Sequence, residues 1–232
     1  KVKLELSFTS NEDSDLQAWI YPSRGDIGVY VDGPPEPELG LDNLLDKKNR
    51  YLEEARTKYK RPIVFDRWEH PNQLFDRHLY QKGAAVLAML RRVMGDRDFR
   101  RAISSFLRKH AFQPVDTHDL LIAIRESTGQ VLDWFFDQWV YGIDVPTYRP
   151  DLQVSRVLDQ SSPYLLHGMI RQEDVSETFR MPVPIMATFA EHEPQLYRIW
   201  VDAETVPVEI PLPAEPTAIE FNYQHAVLAQ VR

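Results

Sequence analysis

The chain has 232 residues, enough for one large domain or two small ones, and its 43% hydrophobic and 27% charged residues are the composition of a protein that buries a core. The 27 Lys+Arg against 35 Asp+Glu leave a formal charge of −8, which excludes an unaided grip on a nucleic-acid backbone; the lack of cysteine excludes disulfides, thiolate zinc sites and cysteine nucleophiles. No apolar run approaches the roughly 20 residues that cross a bilayer, so no membrane span is expected. The opening KVKLELSFTS lacks the apolar stretch of a signal peptide, and a chain that opens on Lys is compatible with a fragment. Compartment is not fixed by these features, with the cytoplasm favoured.

Residues 1–38 hold two strand-like runs, VKLELSF and DIGVYVDG, separated by PSRGD and followed by GPPEPE, both loop chemistry. From Leu39 to Lys60, Leu41, Leu44, Leu45, Tyr51, Leu52 and Ala55 recur at three- and four-residue spacings, which predicts an amphipathic helix ended by Arg61-Pro62. PIVF reads as a short extended piece. LFDRHLYQKGAAVLAMLRRVMGD predicts one long helix with Leu79, Val86, Leu87, Leu90 and Met94 on a stripe, Gly83 inside it as a close-packing residue and Gly95 as its C-cap. A third helix carries Phe99, Ile103, Phe106 and Leu107 on one face. A fourth, DLLIAIREST, is capped by Asp116 or Thr117 and ended by Gly129, and the aromatic VLDWFFDQWVYG closes the block.

Proline placement marks the change that follows. Between Pro71 and Pro146 only Pro114 intervenes, whereas ten of the seventeen prolines lie from Pro146 onward. Proline is expelled from helix interiors, so the middle reads as helical and the tail does not. LQVSRVL, YLLHGMI, FRMPVPIMATF, LYRIWV, VPVEI, TAIEF and AVLAQV read as about seven short strands of a small antiparallel sandwich. Pro182 and Pro184 predict that their strand is an edge or carries a bulge. The expected fold class is α+β by segregation: a strand-rich segment over 1–38, a helical domain over 39–146 and a β-sandwich over 147–232.

The side chains able to do chemistry assemble no active site on spacing alone. The H-E-x-x-H zinc motif needs two imidazoles on one helix face with a Glu beside them. The single His-Glu pair, His192-Glu193, has Leu at 196 and Pro194 within it. Glu69-His70 precedes Pro71, His78 reads as a solvated or locally bonded helix histidine, and His110 and His118 sit at helix ends. The metal expectation for this chain is therefore none. There is no G-x-S-x-G elbow and no Gly-rich phosphate loop. Asp133 and Asp137 beside Trp134–Trp139 read as solvated acids on a helix with a buried aromatic side, and Arg24-Gly25-Asp26 as a chance tripeptide.

The helical block does, however, resemble a known family. Tyr80-Gln81-Lys82-Gly83 within LYQKGAAVLAMLR, Met94-Gly95-Asp96 with Phe99, and Trp139 through Gly142 to Pro146 resemble the zinc aminopeptidases that include aminopeptidase N and leukotriene hydrolase. The likeness covers residues 39–146; FRMPVPI and AVLAQV extend it to the β-sandwich that follows the catalytic domain there. It implies the second half of a thermolysin-like catalytic domain, a parent that removes N-terminal residues from peptides, and zinc held by two His and a Glu. It also implies that Tyr80 is the tyrosine whose phenol stabilises the oxyanion. The sequence departs from the family in having no H-E-x-x-H, no downstream ligand Glu and no exopeptidase glycine motif, and substrate-binding residues are not assigned.

Three readings follow: a segment of a zinc aminopeptidase, inactive as given, with zinc only in a longer parent; a non-catalytic binding or scaffold module; or an excised folding unit with no activity of its own. Peptide is the expected partner in the parent. Self-association, or docking of the missing catalytic half, is expected if apolar surface is left bare.

Overall fold

The computed structural model describes residues 6–7, 19–20, 37–158 and 162–232, and, within these, side chains from residue 44 onward except that of Pro71. It separates into two compact units, Lys1–Ile143 and Asp144–Arg232. At the N-terminus β1 (Leu6–Ser7) pairs antiparallel with β2 (Trp19–Ile20). The run DIGVYVDG and the Arg24–Asp26 tripeptide lie outside the described residues.

The first unit is built on α1 (Pro37–Thr57), α2 (Gly83–Met94), α3 (Asp96–Lys109), α4 (Thr117–Thr128) and the short α5 (Asp133–Phe136). The single long helix expected over 74–96 is instead three pieces: a 3-10 turn at Pro71–Leu74, a π-turn at His78–Lys82, and α2. Asp76 is the physical reason for the break. Its Oδ1 accepts the N–H groups of His78 and Leu79, each at 3.0 Å, and so starts a new helical path there. Lys82 N–H then reaches Arg77 O at 2.9 Å, the five-residue step of a π-turn. Gly83 is not a close-packing glycine: a Cβ there would meet nothing within 4 Å. PIVF forms no strand; the N–H groups of Ile63 and Val64 both bond to Val140 O, at 2.9 and 3.3 Å.

Capping fixes the next two helices. Gly95, at φ 83°, ends α2 and opens α3, whose acidic first turn and basic last turn match the helix dipole. Asp116 and Asp119 close a capping box on α4, and Gly129 ends it in the left-handed conformation. Phe106 and Leu107 of α3 pack with Val115 and Ala123, with Ile103 and Leu120 at the margin. A second π-turn, Asp137–Tyr141, follows α5 and buries Trp139 completely.

In the second unit, strands β3 (Thr147–Arg156), β4 (Tyr164–Glu173), β5 (Met181–Phe189), β6 (Gln195–Val201), β7 (Thr205–Leu212), β8 (Pro216–Phe221) and β9 (Gln230–Val231) form two sheets. Their orders are β7-β4-β3-β9 and β6-β5-β8. All pairings are antiparallel except the short parallel contact of β9 with β3. Alternate residues of β4, β5 and β7 are buried, among them Leu166, Ile170, Val183, Ile185, Val208 and Ile210, and Tyr148 of β3 meets Phe221 of β8 edge-on at 5.7 Å. Fold class is thus α+β, a helical block followed by a β-sandwich. Pro182 and Pro184 do not lie on an edge strand, since β5 is the central strand of its sheet. They are tolerated because β8 pairs only with Ile185–Phe189, leaving the proline half of β5 with β6 as its one partner. The bulge falls at Thr188/Phe189, not at the prolines. The AVLAQV run is strand only at Gln230–Val231; Ala226, Val227 and Leu228 are instead buried after a 3-10 turn.

Candidate functional site

The π-turn that carries Tyr80 is held by a polar cluster beneath it. Arg61 grips Asp76 with both ends of its guanidinium, Nε to Oδ2 at 2.8 Å and Nη2 to Oδ1 at 2.6 Å, and its remaining N–H groups reach the carbonyls of Pro62 and Leu74. Tyr59 donates its hydroxyl to Asp76 Oδ2 at 2.8 Å. Burial by itself would raise the Asp76 carboxyl; facing His78, Arg61, the Leu79 N–H and Tyr59, it is instead held well below the usual carboxylate range. The Tyr59 phenol is pushed up to about 12, first by burial and then by its hydrogen bond to Asp76.

Along the π-turn, His78 and Lys82 point inward and are fully buried, while Tyr80 between them is 41% exposed. The Tyr80 ring leans on Phe75 at 6.4 Å, and partial burial raises its phenol above the ordinary value. Lys82 Nζ donates to Gly142 O at 3.0 Å and lies 5.9 Å from the Tyr51 ring centroid. The Tyr-x-Lys-Gly landmark therefore divides its labour: the Lys anchors the turn in the protein, and the Tyr faces outward.

His78 is the residue that the sequence misplaces. It is neither solvated nor locally bonded but fully buried, edge-on to Tyr51 at 5.2 Å and stacked on Tyr59 at 4.9 Å. Its Nδ1 faces Glu54 Oε1 at 3.6 Å and Asp76 Oδ2 at 3.5 Å. Among the described residues, Glu54, Asp76 and His78 form the one group of three potential metal-binding side chains with their ligand atoms within 4.8 Å of one another. No local spacing signals it, because Glu54 comes from α1 and the other two from the entry to the π-turn.

The other candidates are not brought together. His192 lies against Phe189, and His70 Nδ1 accepts the Asn72 N–H that opens the 3-10 turn. His110 is the residue after α3 and leans on Phe106; His118 is in the first turn of α4. Asp133 is paired with Arg125 at 2.9 Å, and the aromatics beside it, Phe135, Phe136 and Trp139, are core.

Comparison with known proteins agrees with this part of the chain. Residues 33–139 match the peptidase family M1 domain. The chain is 26% identical over 142 residues to aminopeptidase M1-A of Oryza sativa subsp. japonica, covering 56% of this chain and 16% of that protein. It is 27% identical over 114 residues to tricorn protease-interacting factor F2 of Thermoplasma volcanium (49% and 14%). With aminopeptidase 2 of Candida albicans it shares 30% over 130 residues (56% and 13%). Among solved structures, Legionella pneumophila aminopeptidase A in complex with aspartic acid shares the fold at a TM-score of 0.62 with 18% identity, over 83% of this chain and 21% of that one. Residues 33–139 are thus similar to part of an M1 peptidase domain, the family that the helical block resembles. It spans only a small fraction of the length of these relatives.

The zinc general to that family is not fitted by the residues here. The sequence has no H-E-x-x-H, and the one close donor group among the described residues offers a single imidazole with two carboxylates from separate segments rather than two imidazoles from one helix. Among the described residues no helix is long and apolar enough to cross a membrane.

Proposed function

We propose that residues 39–146 form one wall of an aminopeptidase active site, where Tyr80 presents its phenol to the oxygen of the scissile carbonyl. In this reading residues 147–232 are the accompanying β-sandwich domain, residues 1–38 a separate N-terminal segment, and the substrate a peptide entered from its N-terminus. The observation that carries it is the M1 domain match over residues 33–139 together with the position of Tyr80, on the solvent side of a π-turn anchored through Lys82 and Asp76. Irregular helical turns of this kind are frequent where a side chain must be aimed. Because burial raises the phenol, it stays protonated near neutral pH and can donate to developing negative charge.

A phenol alone cannot activate water, so the chain as given is expected to be inactive, with the family's zinc ligands supplied by sequence outside it. The test is hydrolysis of an aminoacyl-coumarylamide. The 232-residue chain with added zinc should show no turnover above the blank. A protein that joins it to an H-E-x-x-H region should show turnover and lose about 10²-fold or more in kcat on Tyr80→Phe. Unchanged kcat in that variant would remove Tyr80 from the site. The exposed Phe75–Tyr80 ring pair favours a second reading, a non-catalytic module that binds peptide, which saturable peptide binding without turnover in the joined protein would select.

A further inference from the structure

Glu54, Asp76 and His78 stand apart from the outward-facing Tyr80, and the proposed peptidase role uses only Asp76 Oδ1, as a backbone anchor of the turn. His78 is fully buried, and neither of its ring nitrogens makes a hydrogen bond. An imidazole sealed in this way without a partner is expensive, and such groups call for an explanation. Its Nδ1 is 3.5 Å from Asp76 Oδ2 and 3.6 Å from Glu54 Oε1. These separations exceed the roughly 2.7–2.9 Å of a charge-assisted hydrogen bond. They match two ligand atoms across one metal ion, since bonds of about 2.0–2.2 Å at tetrahedral angles put neighbouring ligands about 3.3–3.6 Å apart.

We propose that Glu54 Oε1, Asp76 Oδ2 and His78 Nδ1 bind a single divalent transition-metal ion of the zinc class, which locks α1 to the π-turn. The donor set, one imidazole and two carboxylates, suits Zn²⁺. The ligands are held ready: His78 is wedged between the Tyr51 and Tyr59 rings, and the Glu54 and Asp76 side chains are only 7% and 11% exposed. That burial makes the site structural rather than catalytic. The surrounding cations temper it. Arg61 already neutralises Asp76, and Lys58 and Arg77 approach Glu54 Oε2 from the rim at 3.3 and 3.8 Å. An ion on Asp76 Oδ2 must also displace the hydroxyl of Tyr59 and compete with Arg61 Nε, both of which donate to that oxygen at 2.8 Å, so the expected affinity is micromolar rather than nanomolar.

The test is equilibrium dialysis of the EDTA-stripped chain against Zn²⁺, with metal counted directly and thermal unfolding followed alongside. The expected result is one His78-dependent zinc per chain with a dissociation constant of about 1–100 µM, a raised Tm, and at least tenfold weaker binding in both Glu54→Gln and His78→Gln. Tyr59→Phe, which removes one of the two donors on Asp76 Oδ2 and leaves Arg61 Nε as the other, should bind as tightly as wild type or tighter. Should a ligand variant fail to give the wild-type circular dichroism spectrum, Co²⁺ on the wild-type chain decides, through the visible d–d bands of a tetrahedral nitrogen–oxygen site. Absence of those bands, no bound zinc at 100 µM, or zinc retained in folded His78→Gln would each overturn the proposal. None of these readouts depends on peptidase activity, so the site and the Tyr80 reading stand or fall separately.

Discussion

Lys82 Nζ donates to Gly142 O at 3.0 Å, and this bond ties the first π-turn to the end of the second. Both partners are constrained. Lys82 is fully buried, and a Cβ on Gly142 would fall 2.5 Å from Gln138 O, so the chain can leave the second π-turn this closely only at glycine. Lys82→Met keeps the stem and removes the donor, and is expected to destabilise the helical unit by about 1.5–3 kcal/mol, the worth of a hydrogen bond from a charged group. Gly142→Ala should lose a similar amount, about 1–3 kcal/mol, through overpacking. Urea unfolding followed at 222 nm checks both. If Lys82→Met unfolds at the wild-type midpoint, the bond is not a structural tie.

The Arg61–Asp76 pair carries a second expectation. Its side chains are 6% and 11% exposed, and removing one partner leaves the other charge buried. Asp76→Asn is therefore expected to cost about 3–5 kcal/mol, and it also weakens the acceptor for the N–H groups of His78 and Leu79. Because the carboxyl is held below its unfolded value, its contribution is complete above about pH 4 and is lost as pH falls through the lower folded value. Wild type should thus lose stability below pH 4 more steeply than Asp76→Asn. Parallel acid-unfolding curves for the two would contradict this account.

What the sequence made legible follows from how local each determinant is. The helices after Gly95 were readable because their caps, Asp116, Gly95 and Gly129, act within a turn of themselves. Strands β3 to β8 were readable because β-branched runs alternate between Pro and Asp punctuation. The break at Asp76 was not readable: a strong helical stripe continues through it, and the break depends on Arg61 and Tyr59, fifteen and seventeen residues away. For the same reason His78 looked like an ordinary helix histidine. Its burial is decided by Tyr51 and Glu54 on α1, which no window around His78 contains. Tyr80 is singled out only by the family likeness of its motif, since a helical tyrosine has no local signature of function.

Two glycines should answer oppositely to the same change. In β4, Gly168 sits at φ 144°, and a Cβ there would fall 2.0 Å from Asp151 O on the neighbouring strand. Gly168→Ala is expected to cost more than about 2 kcal/mol, because strain in the left-handed region adds to overpacking. Gly83 has φ −57° and open space where a Cβ would go, so Gly83→Ala should be neutral or stabilise by up to about 1 kcal/mol. Thermal unfolding of the two variants gives the comparison, and a loss at Gly83 as large as that at Gly168 would show that space around Gly83 is needed for something else.

Lys48 sets the pH dependence on the alkaline side. It lies on α1 at 3% exposure, and burial, helped by the nearby charge of Arg92, lowers its ammonium from 10.5 to about 7. The folded chain therefore releases this proton well before the unfolded chain does. Between pH 7 and the unfolded value of about 10.4 the unfolded state binds more protons, so stability rises with pH across that window. Tyr51, Tyr59 and Tyr148 act in the other direction, since burial raises each phenol and the unfolded chain ionises first, at about pH 10. Stability should accordingly climb from pH 7, reach a maximum near pH 9.5 and fall beyond it. Lys48→Met, which keeps the buried stem and removes the charge, is expected to be more stable than wild type at pH 7 and to show no rise between pH 7 and 9.5. Urea midpoints at the two pH values measure this directly. A rise of equal size in Lys48→Met would assign the alkaline stabilisation to another group.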